Sequence, residues 1–556
     1  MESTCCVLQE SKLNRWTDRL EGMVDMKNFY AGAAKMLLGF VIGVLIVFVV
    51  KNFRPAKRFD GDYERWRKLN LILEQVEKNY VDTIDKAGMT DAAVVAALAK
   101  LDPHSVYLPP VKLTESETAL AGNFEGIGIQ FNVPNDTAVV LSVIPGGPSE
   151  KAGLSQGDRI IKVGDKIIAG TRTPQDSMVR MMKGPSGSKV KITVSRSGTL
   201  IPFDITRAKI PVHCVDAAFM ADDSTGYIKL SKFTRTTYKE FCDAKDKLLA
   251  DGMTRLVFDL RNNTGGYLDQ ALLLTNEFLG KDDRIVYMEG LNRPRQNFDA
   301  DGNGTMKDIA LAVLIDEGTA SSSEIFSGAI QDNDRGVIVG RRSYGKGLVQ
   351  EPVNFTDGSG IRLTVARFYT PSGRCIQKPY GKNYEYDIYE RYAHGEMVSA
   401  DSMKVDTTVV YHTVKGRPVY GGGGIVPDVF VPMDTTKATG FYINCNRKAT
   451  AMRFASSMFD KYRKSLSVID DFAELEQYLD DIGLEDRFLD YASRVDGIRP
   501  SKSEWEETRS YMMPQLKALV GRYSKLDDEA FYRFYMPIDD TIEAAMESLG
   551  QVRPGK

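Results

Sequence analysis

Residues 310–326 read ALAVLIDEGTASSSEIF, and this stretch decides the fold class of the largest domain. Ala310 to Ile315 is an apolar run, which predicts a buried strand. A Gly-Thr turn follows, and Ser321 and Glu324 then have the spacing of a helix capping box. A buried strand that turns directly into a helix is typical of an α/β layer.

The same alternation extends from about residue 209 to residue 433. The sequence predicts strands at GYIKL and RLVFDL, and helices near residues 237–250 and 267–279. Two more segments carry a strand into a glycine-rich turn, FDLRNNTGGYL at 258–268 and VIVGRRSYGKGLVQ at 337–350. We therefore expect an α/β domain with several strand ends at one edge of its sheet.

Composition excludes several classes of protein. The chain has 556 residues, 43% hydrophobic and 26% charged, as in ordinary globular proteins. Its 72 basic and 75 acidic residues give a net charge of -3, so the overall basic field of a nucleic-acid binder is missing. The 6 cysteines include no C-x-x-C pair, which argues against a structural zinc site. With only 4 histidines, a histidine-based hydrolytic mechanism has few candidates.

An apolar segment near the amino terminus predicts a membrane anchor. Residues 36–50 read MLLGFVIGVLIVFVV, and extending the segment back to Ala31 adds only one charge, Lys35. About 20 apolar residues suffice to span a bilayer. No small-x-small cleavage site follows, so we expect an uncleaved signal-anchor at 31–50. More basic residues follow this segment than precede it, which favours a cytoplasmic carboxyl side, but long domains translocate largely regardless of charge.

Residues 119–207 have the texture of a small β domain. Short alternating runs such as IGIQFNV and KVKITVSR are separated by Gly, Pro and Asn turns. Within FEGIGI, the glycines of the segment Gly126, Ile127, Gly128 and Ile129 let consecutive amides point at one spot. Such a nest binds an anion, and a neighbouring strand edge can pair with an extended peptide.

Ser321, Lys346 and Gln350 are the candidate chemical groups of the α/β domain. A serine at a helix N-terminus is well placed as a nucleophile, although the capping box alone also explains Ser321. Burial would lower the pKa of Lys346 from about 10.4 and make it a base. If Lys346 and Gln350 share a strand, their even separation puts both on one face, where Gln350 can orient the amine.

Two other motifs are weaker. Gly340 to Gly347 nearly matches a phosphate-binding loop, but Gly347 stands where Ser or Thr would hold magnesium, and strand-like residues follow. Asp299 to Gly304 copies the start of a calcium loop, but Ala310 occupies the position of the bidentate Glu. We therefore expect neither a nucleotide site nor a metal site.

Several motifs in order resemble one family, the carboxyl-terminal processing (tail-specific) proteases of peptidase family S41, which are serine-lysine peptidases with a PDZ domain. The resemblance runs from about residue 63 to residue 431. The motifs are LDPHSVY at 101–107, the PDZ-like domain, DLRNNTGG at 259–266, SSSE at 321–324, GKG at 345–347 with Gln350, YTPSGR at 369–374 and GIVPD at 424–428.

The resemblance implies the roles of these residues. Ser321 would be the nucleophile, Lys346 the base and Gln350 the residue that positions the lysine. The main-chain N–H groups of Ser322 and of Gly265 or Gly266 would form the oxyanion hole. Substrates would be proteins or peptides whose free C-termini bind at 126–129, and no cofactor is needed. The sequence departs from the family at Thr264 and at Lys183, where a PDZ arginine is often found.

The resulting fold class is multidomain α/β: an N-terminal membrane anchor with helices, a PDZ-like β domain, a crotonase/ClpP-like protease core and a C-terminal helical domain. The expected boundaries are 1–30 for an extension, 31–50 for the anchor, 51–118 for a helical region, 119–207 for the PDZ domain, 208–435 for the peptidase core and 436–556 for the helical domain. The family's compartment implies that the catalytic part is extracytoplasmic. An activating adaptor or a homo-oligomer is a further expectation. The alternative is a membrane-anchored PDZ adaptor with an inactive core.

Overall fold

The computed structural model describes residues 63–133, 136–381, 384–435 and 439–551. The predicted extension at 1–30 and the predicted anchor at 31–50 lie outside these ranges. Within them, no helix combines the length and the apolar character needed to cross a membrane. The chain divides into two compact units, residues 1–92 and residues 93–556.

The described amino-terminal region is mostly helical. It contains α1 (Tyr63–Asn79), α2 (Lys86–Leu98), β1 (Val106–Leu108) and α3 (Pro110–Leu120). The second helix ends at Leu98, before Asp102-Pro103. Pro110 opens α3 at its first position, where a missing N–H costs no hydrogen bond.

The β domain that follows contains short antiparallel strands around a small apolar core. Its sheet has the order β3-β4-β5-β7-β8, with β6 paired to β5, and β2 pairs separately with β9. The elements are β2 (Asn123–Gly126), β3 (Ile129–Asn132), β4 (Ala138–Val143), α4 (Pro148–Ala152), β5 (Arg159–Val163), β6 (Lys166–Ile167), α5 (Gln175–Met182), β7 (Lys189–Arg196), β8 (Thr199–Thr206) and β9 (Ala208–Pro211). The strand β3 therefore lies at an edge of this sheet.

A six-stranded, mostly parallel sheet forms the centre of the larger domain. Its order is β10-β11-β12-β15-β16-β21, and only β10 runs antiparallel to its neighbour. The strands are β10 (Val215–Met220), β11 (Thr225–Leu230), β12 (Arg255–Asp259), β15 (Ala310–Ile315), β16 (Val337–Gly340) and β21 (Val429–Phe430). Every residue of β11 and β15 is buried, as expected for parallel strands covered on both faces.

Helices cover one face of this sheet, and a second sheet lies beside it. The helices are α6 (Thr237–Ala250), α7 (Leu268–Asn276) and α8 (Ser322–Asp332). The second sheet has the order β1-β18-β13-β14, with β17 on β18, and a β19-β20 pair and the short helix α9 follow. These elements are β13 (Arg284–Gly290), β14 (Arg293–Asp299), β17 (Leu348–Asn354), β18 (Gly360–Tyr369), α9 (Asp387–Ala393), β19 (Val410–His412) and β20 (Pro418–Tyr420).

The carboxyl-terminal region is helical, as predicted, and has its own aromatic core. Its helices are α10 (Gly440–Arg447), α11 (Thr450–Leu466), α12 (Phe472–Asp481), α13 (Leu484–Asp496), α14 (Lys502–Gly521), α15 (Asp528–Tyr535) and α16 (Asp540–Gln551). One end of this region packs on the central sheet, where Ile542, Ala545 and Leu549 of α16 join the apolar residues of the strands. The same region therefore closes the face of the sheet that α6, α7 and α8 leave open.

The helical region also contacts the β domain through α11. Arg463 donates to the carbonyl oxygen of Gln156, and Arg159 pairs with Asp460. A Cβ at Gly157 would lie 2.3 Å from a ring carbon of Phe459, so only glycine fits there. The turn around Gly157 is thus seated directly on α11.

Candidate active site

Two glycine-containing turns meet at the carboxyl edge of the central sheet. The strands β12 and β15 run parallel, with Asp259 opposite Leu314, so the turns that follow them are neighbours. A Cβ at Gly265 would lie 2.8 Å from the Ser322 nitrogen and 2.9 Å from the Ser321 Cβ. Open α/β sheets bind ligands at such strand ends.

Ser321 differs from the two serines that follow it. The Ser322 hydroxyl donates to the Gly266 carbonyl oxygen at 3.0 Å, and the Ser323 hydroxyl donates to the Asn263 carbonyl oxygen at 2.9 Å. Both of these side chains are buried, whereas Ser321 is partly exposed. Ser321 also has a φ of 57°, a left-handed conformation that non-glycine residues rarely adopt and that concentrates at functional sites.

The amide groups at this point separate into occupied and available donors. The Gly265 N–H is donated to the Asn263 side-chain oxygen at 2.9 Å. Within the described ranges, the Gly266 N–H donates to no group, and Ser322 opens α8, so its N–H has no partner in a preceding turn. Of the two glycines that the resemblance offers, Gly266 is therefore the one with a free amide.

Glu324 holds the serine loop and the lysine loop together. One carboxylate oxygen accepts the N–H groups of Ser321 at 2.8 Å and of Lys346 at 2.9 Å. The other accepts the Gly345 N–H at 2.7 Å and the Ser343 hydroxyl at 2.6 Å. The predicted capping box is present, and the same carboxylate also ties down the segment that carries Lys346.

The side chain of Lys346 is partly buried and lies within the electrostatic influence of Arg362. Its side chain makes no hydrogen bond or ion pair with the residues that the structure describes. Burial lowers its pKa, and the positive charge of Arg362 lowers the pKa further, while Glu324 and Asp102 oppose this effect. The environment therefore shifts the pKa of Lys346 in the direction that a general base requires.

The expected strand geometry around Gln350 is wrong. The strand β17 begins at Leu348, so Lys346 lies in the preceding loop, and the pairing of β17 with β18 shifts between Val349 and Gln350. Lys346 and Gln350 therefore do not lie on one face of a strand. Instead, the side-chain nitrogen of Gln350 donates to the His104 carbonyl oxygen at 2.6 Å.

His104 connects this glutamine to an aromatic cluster. Its Nε2 lies 2.6 Å from the Tyr384 hydroxyl, and that hydroxyl accepts a hydrogen bond from Gln377 at 3.1 Å. The Gln377 oxygen in turn accepts the Gly347 N–H at 3.0 Å. Burial first, and then the charge of Lys346, lower the pKa of His104 to about 4. The imidazole is thus held neutral beside the lysine loop.

Sequence reasoning did not assign positioning roles to Asn263 and Glu324. The carbonyl oxygen of Asn263 accepts the Ala320 N–H at 3.0 Å and the Ser323 hydroxyl, so this residue joins the two turns. Its side-chain nitrogen donates to the Leu230 carbonyl oxygen at 3.0 Å. The capping-box spacing was a signal for Glu324, but nothing in the spacing indicates that its carboxylate also reaches the lysine loop.

The loop at 126–129 leaves two consecutive main-chain amides unoccupied within the described ranges. Gly128 has a φ of 77°, and the amides of Ile127 and Gly128 donate to no group in the described ranges. The loop is held by its carbonyl groups instead: Ile127 accepts the Ser149 N–H and Gly128 accepts the Ile144 N–H. The edge strand β3 begins at Ile129, so an extended peptide has an open partner.

Within the described ranges, no three His, Cys, Asp or Glu side chains come together as metal ligands. Lys183, at the position of the family's arginine, lies with its ammonium 5.8 Å from the centre of the Phe124 ring. Lys183 therefore lies close to β2, the strand that leads into the loop at 126–129.

Family models match three parts of the chain. The model of peptidase family S41 matches residues 224–388, that of the PDZ domain matches residues 126–206, and a family of unknown function (DUF8443) matches residues 441–524. The first two matches, with the fold, define a PDZ-bearing serine peptidase of family S41.

Curated relatives narrow this class. A carboxy-terminal-processing protease of Bartonella bacilliformis is 32% identical over 62% of this chain and 80% of its own length. The carboxy-terminal processing protease CtpA of Bacillus subtilis is 32% identical over 62% of this chain and 74% of its own. The chain belongs to the carboxy-terminal-processing proteases of family S41, and it is a serine-type peptidase.

A solved structure of a photosystem II D1 C-terminal processing protease is 27% identical, with a TM-score of 0.36, and covers 67% of this chain and 88% of that protein. A PDZ domain of a carboxy-terminal protease from Vibrio cholerae, solved with a peptide, is 33% identical, with a TM-score of 0.15. It covers 16% of this chain and 99% of that domain.

Proposed function

We propose that Ser321 and Lys346 form a Ser-Lys dyad that cleaves peptide bonds. The observation that carries this assignment is the single Glu324 oxygen that accepts both of their main-chain amides. Because both amides bind the same oxygen, the main-chain nitrogens of Ser321 and Lys346 can lie no farther apart than the sum of the two hydrogen-bond lengths. The lowered pKa of Lys346 supplies the chemical half of the assignment.

The reaction runs through an acyl-enzyme. The neutral amine of Lys346 takes the proton of the Ser321 hydroxyl as the oxygen bonds to the scissile carbonyl carbon. The carbonyl electrons move to oxygen, and their return breaks the C–N bond, while the Lys346 ammonium gives its proton to the leaving amine. Water then attacks the ester, again with Lys346 as base, and releases Ser321.

The N–H groups of Ser322 and Gly266 are the proposed oxyanion donors, and Gly265 supports the contact between the turns. Ser322 adds the positive end of the α8 dipole. Gln350 is the proposed positioning residue of Lys346. Its nitrogen is tied to the His104 carbonyl, which leaves its side-chain oxygen as the acceptor for the amine.

The loop Gly126, Ile127, Gly128 and Ile129 is the proposed receptor for the free C-terminal carboxylate of a protein substrate. Its unused amides supply the anion site, and β3 supplies an edge for strand addition. Proteins or peptides with free C-termini are therefore the proposed substrates. Cleavage itself needs no cofactor in this mechanism.

The proposed setting is extracytoplasmic, with residues 31–50 as a membrane anchor and residues 1–30 as an extension before it. The proposed domains are a helical region at 51–118, a PDZ domain at 119–207, a peptidase core at 208–435 and a helical domain at 436–556. We also propose that the chain works with an activating adaptor or as a homo-oligomer.

The test compares the full chain with Ser321→Ala, Lys346→Ala and the exposed-lysine control Lys307→Ala on an unfolded protein with an apolar C-terminus. We expect cleavage by the wild type and the control, and none by the dyad variants. An amidated substrate tail should be spared. Cleavage by Ser321→Ala would refute the dyad, and tail binding without any wild-type cleavage would favour the adaptor.

A further inference from the structure

The carboxyl-terminal helical region contacts the turn that follows β12, residues 260–266, through the side chain of Asp539. This residue lies immediately before α16, and Arg261 donates to its carboxylate at 2.9 Å. The two side chains are mostly shielded, with 18% of Arg261 and 9% of Asp539 exposed. Asp539 lies outside residues 224–388, the part that matches the peptidase family model.

Arg261 lies between two carboxylates at the end of β12. Its guanidinium donates to both oxygens of Asp259. One of these oxygens also accepts the Tyr227 hydroxyl at 2.8 Å, and the other accepts the Lys229 ammonium at 3.1 Å. Burial opposes the charge of Arg261, but attraction to Asp259 and then to Asp539 raises its pKa well above the ordinary value. Without Asp539, two cations would share a single buried carboxylate.

Arg261 leads directly into the turn that ends at Gly266. Its own carbonyl oxygen accepts a hydrogen bond from Lys229. The next residue, Asn262, has a φ of 58°, and its N–H donates to Asp316 at 2.8 Å. A non-glycine residue in such a conformation persists only where the surrounding contacts over-determine it.

We propose that Asp539 is a positioning residue of the peptidase: it fixes Arg261 and so holds the turn that presents the Gly266 amide to the substrate carbonyl. This inference rests on the oxyanion assignment made above. It gives the carboxyl-terminal helical region a part in catalysis. The role is indirect, because Asp539 acts on Arg261 and touches no reacting atom.

Asp539 has a second, separable role as a helix cap. Arg261 contacts both carboxylate oxygens of Asp539, and Oδ1 also accepts the N–H groups of Thr541 at 3.0 Å and of Ile542 at 3.2 Å. Asparagine and serine cap helices about as well as aspartate. The substitutions Asp539→Asn and Asp539→Ser therefore keep the cap of α16 and remove the negative charge that Arg261 requires.

A matched control lies in the same helical region. Asp471 caps α12 by accepting the Glu474 N–H at 2.9 Å, and it is exposed. Asp471→Asn therefore makes the same chemical change at another cap. A loss common to both asparagine variants would reflect the cap or the stability of the region.

The experiment measures kcat, KM and thermal unfolding of the full chain on a peptide with a free C-terminus. We expect Asp539→Asn and Asp539→Ser to lower kcat at least tenfold with KM close to that of Asp471→Asn, at an assay temperature below the unfolding transition of every variant. Removal of an oxyanion donor itself costs about 10²–10³ in kcat. The rate at which a fluorophosphonate labels Ser321 should fall with kcat.

Three results would overturn the inference: wild-type kcat in either Asp539 variant, a kcat loss equal to that of Asp471→Asn, or a rise in KM alone. Should Asp539→Asn not fold, Asp539→Ser decides. Failure of the proposed function is distinguishable, because either Ser321→Ala would then retain turnover or the wild type would show none, whatever the Asp539 variants do.

Discussion

The main-chain amides of Ser321 and Lys346 donate to the same oxygen of Glu324, at 2.8 and 2.9 Å. The relative position of the two residues is thus set by their backbones, before either side chain takes part in chemistry. Burial raises the pKa of Glu324, while its hydrogen bonds, with Ser343 first, oppose that shift. A buried anion in this position also attracts the charge of Lys346, so the site depends on a balance between Glu324 and Arg362.

Replacing Glu324 by glutamine should weaken the connection between the two loops, because a single oxygen can replace only one of the two acceptors. The amide has one oxygen where the carboxylate has two, so its NH₂ group would face N–H donors, and each unsatisfied buried group costs about 1–3 kcal/mol. We expect kcat to fall at least tenfold and the unfolding temperature to drop. Glu317→Gln, in the Glu317–Arg341 pair, is the control for a lost ion pair at the same edge. Wild-type turnover in Glu324→Gln would contradict this account.

Arg362 should contribute to the pH dependence of the dyad, in addition to the larger effect of burial on Lys346. Its positive charge disfavours the ammonium form of Lys346, so Arg362→Gln should raise the pKa of the lysine. The active form is the neutral amine, and the rising limb of kcat/KM should therefore move to higher pH. Arg362→Lys keeps the charge and should keep the wild-type profile. A shift of the Arg362→Gln limb to lower pH would show that the sign is wrong.

His104 should make the fold less stable in mild acid. Its pKa in the fold is about 4, below its ordinary value of 6.5, so the unfolded chain takes up the proton first as pH falls. The stability is fully present above about pH 6.5 and is lost as pH falls toward 4. His104→Phe keeps the edge-to-face contact with Tyr384 and removes the titrating ring.

The measurement for His104 is the unfolding temperature of both proteins between pH 7 and pH 4. We expect the wild type to lose more over this range than His104→Phe. The exposed His412→Phe variant serves as the control and should follow the wild type. Parallel curves for the wild type and His104→Phe would refute the prediction.

Gly157 should report on the seating of the β domain against α11. Its φ of 76° disfavours alanine, and the added Cβ would collide with Phe459 and Arg463. Gly157→Ala should raise amide hydrogen exchange in residues 155–159 and in α11. Gly164→Ala is the matched control, because Gly164 has a φ of 58° but no atom within 4 Å of the added Cβ. Equal exchange in the two variants would argue against the contact.

Local patterns were enough to predict many elements. The apolar run at 310–315 produces a strand because six adjacent apolar side chains are best buried between two covered faces. The Ser321-x-x-Glu324 spacing produces a helix start because the end of a helix needs acceptors for its free amides. The order of the sequence motifs also indicates the family.

Other local inferences failed where long-range pairing decides. The separation of Lys346 and Gln350 suggested one strand face, but β17 starts only at Leu348 because the loop before it is fixed by Glu324 and Gln377. The pairing of Gln350 with His104 joins residues far apart in sequence, and no periodicity encodes it.

By itself, the sequence determined the family, through the order of its motifs, and the alternation of strands and helices in the larger domain, through local apolar patterns. The candidates for the proposed dyad came from the same motif resemblance. Only the tertiary structure decided which glycine amide is free, which carboxylate joins Ser321 to Lys346, and that Asp539 pairs with Arg261. Those relationships arise when parallel strands bring distant turns to one edge. A buried charge or amide then takes whichever partner lies nearest in space.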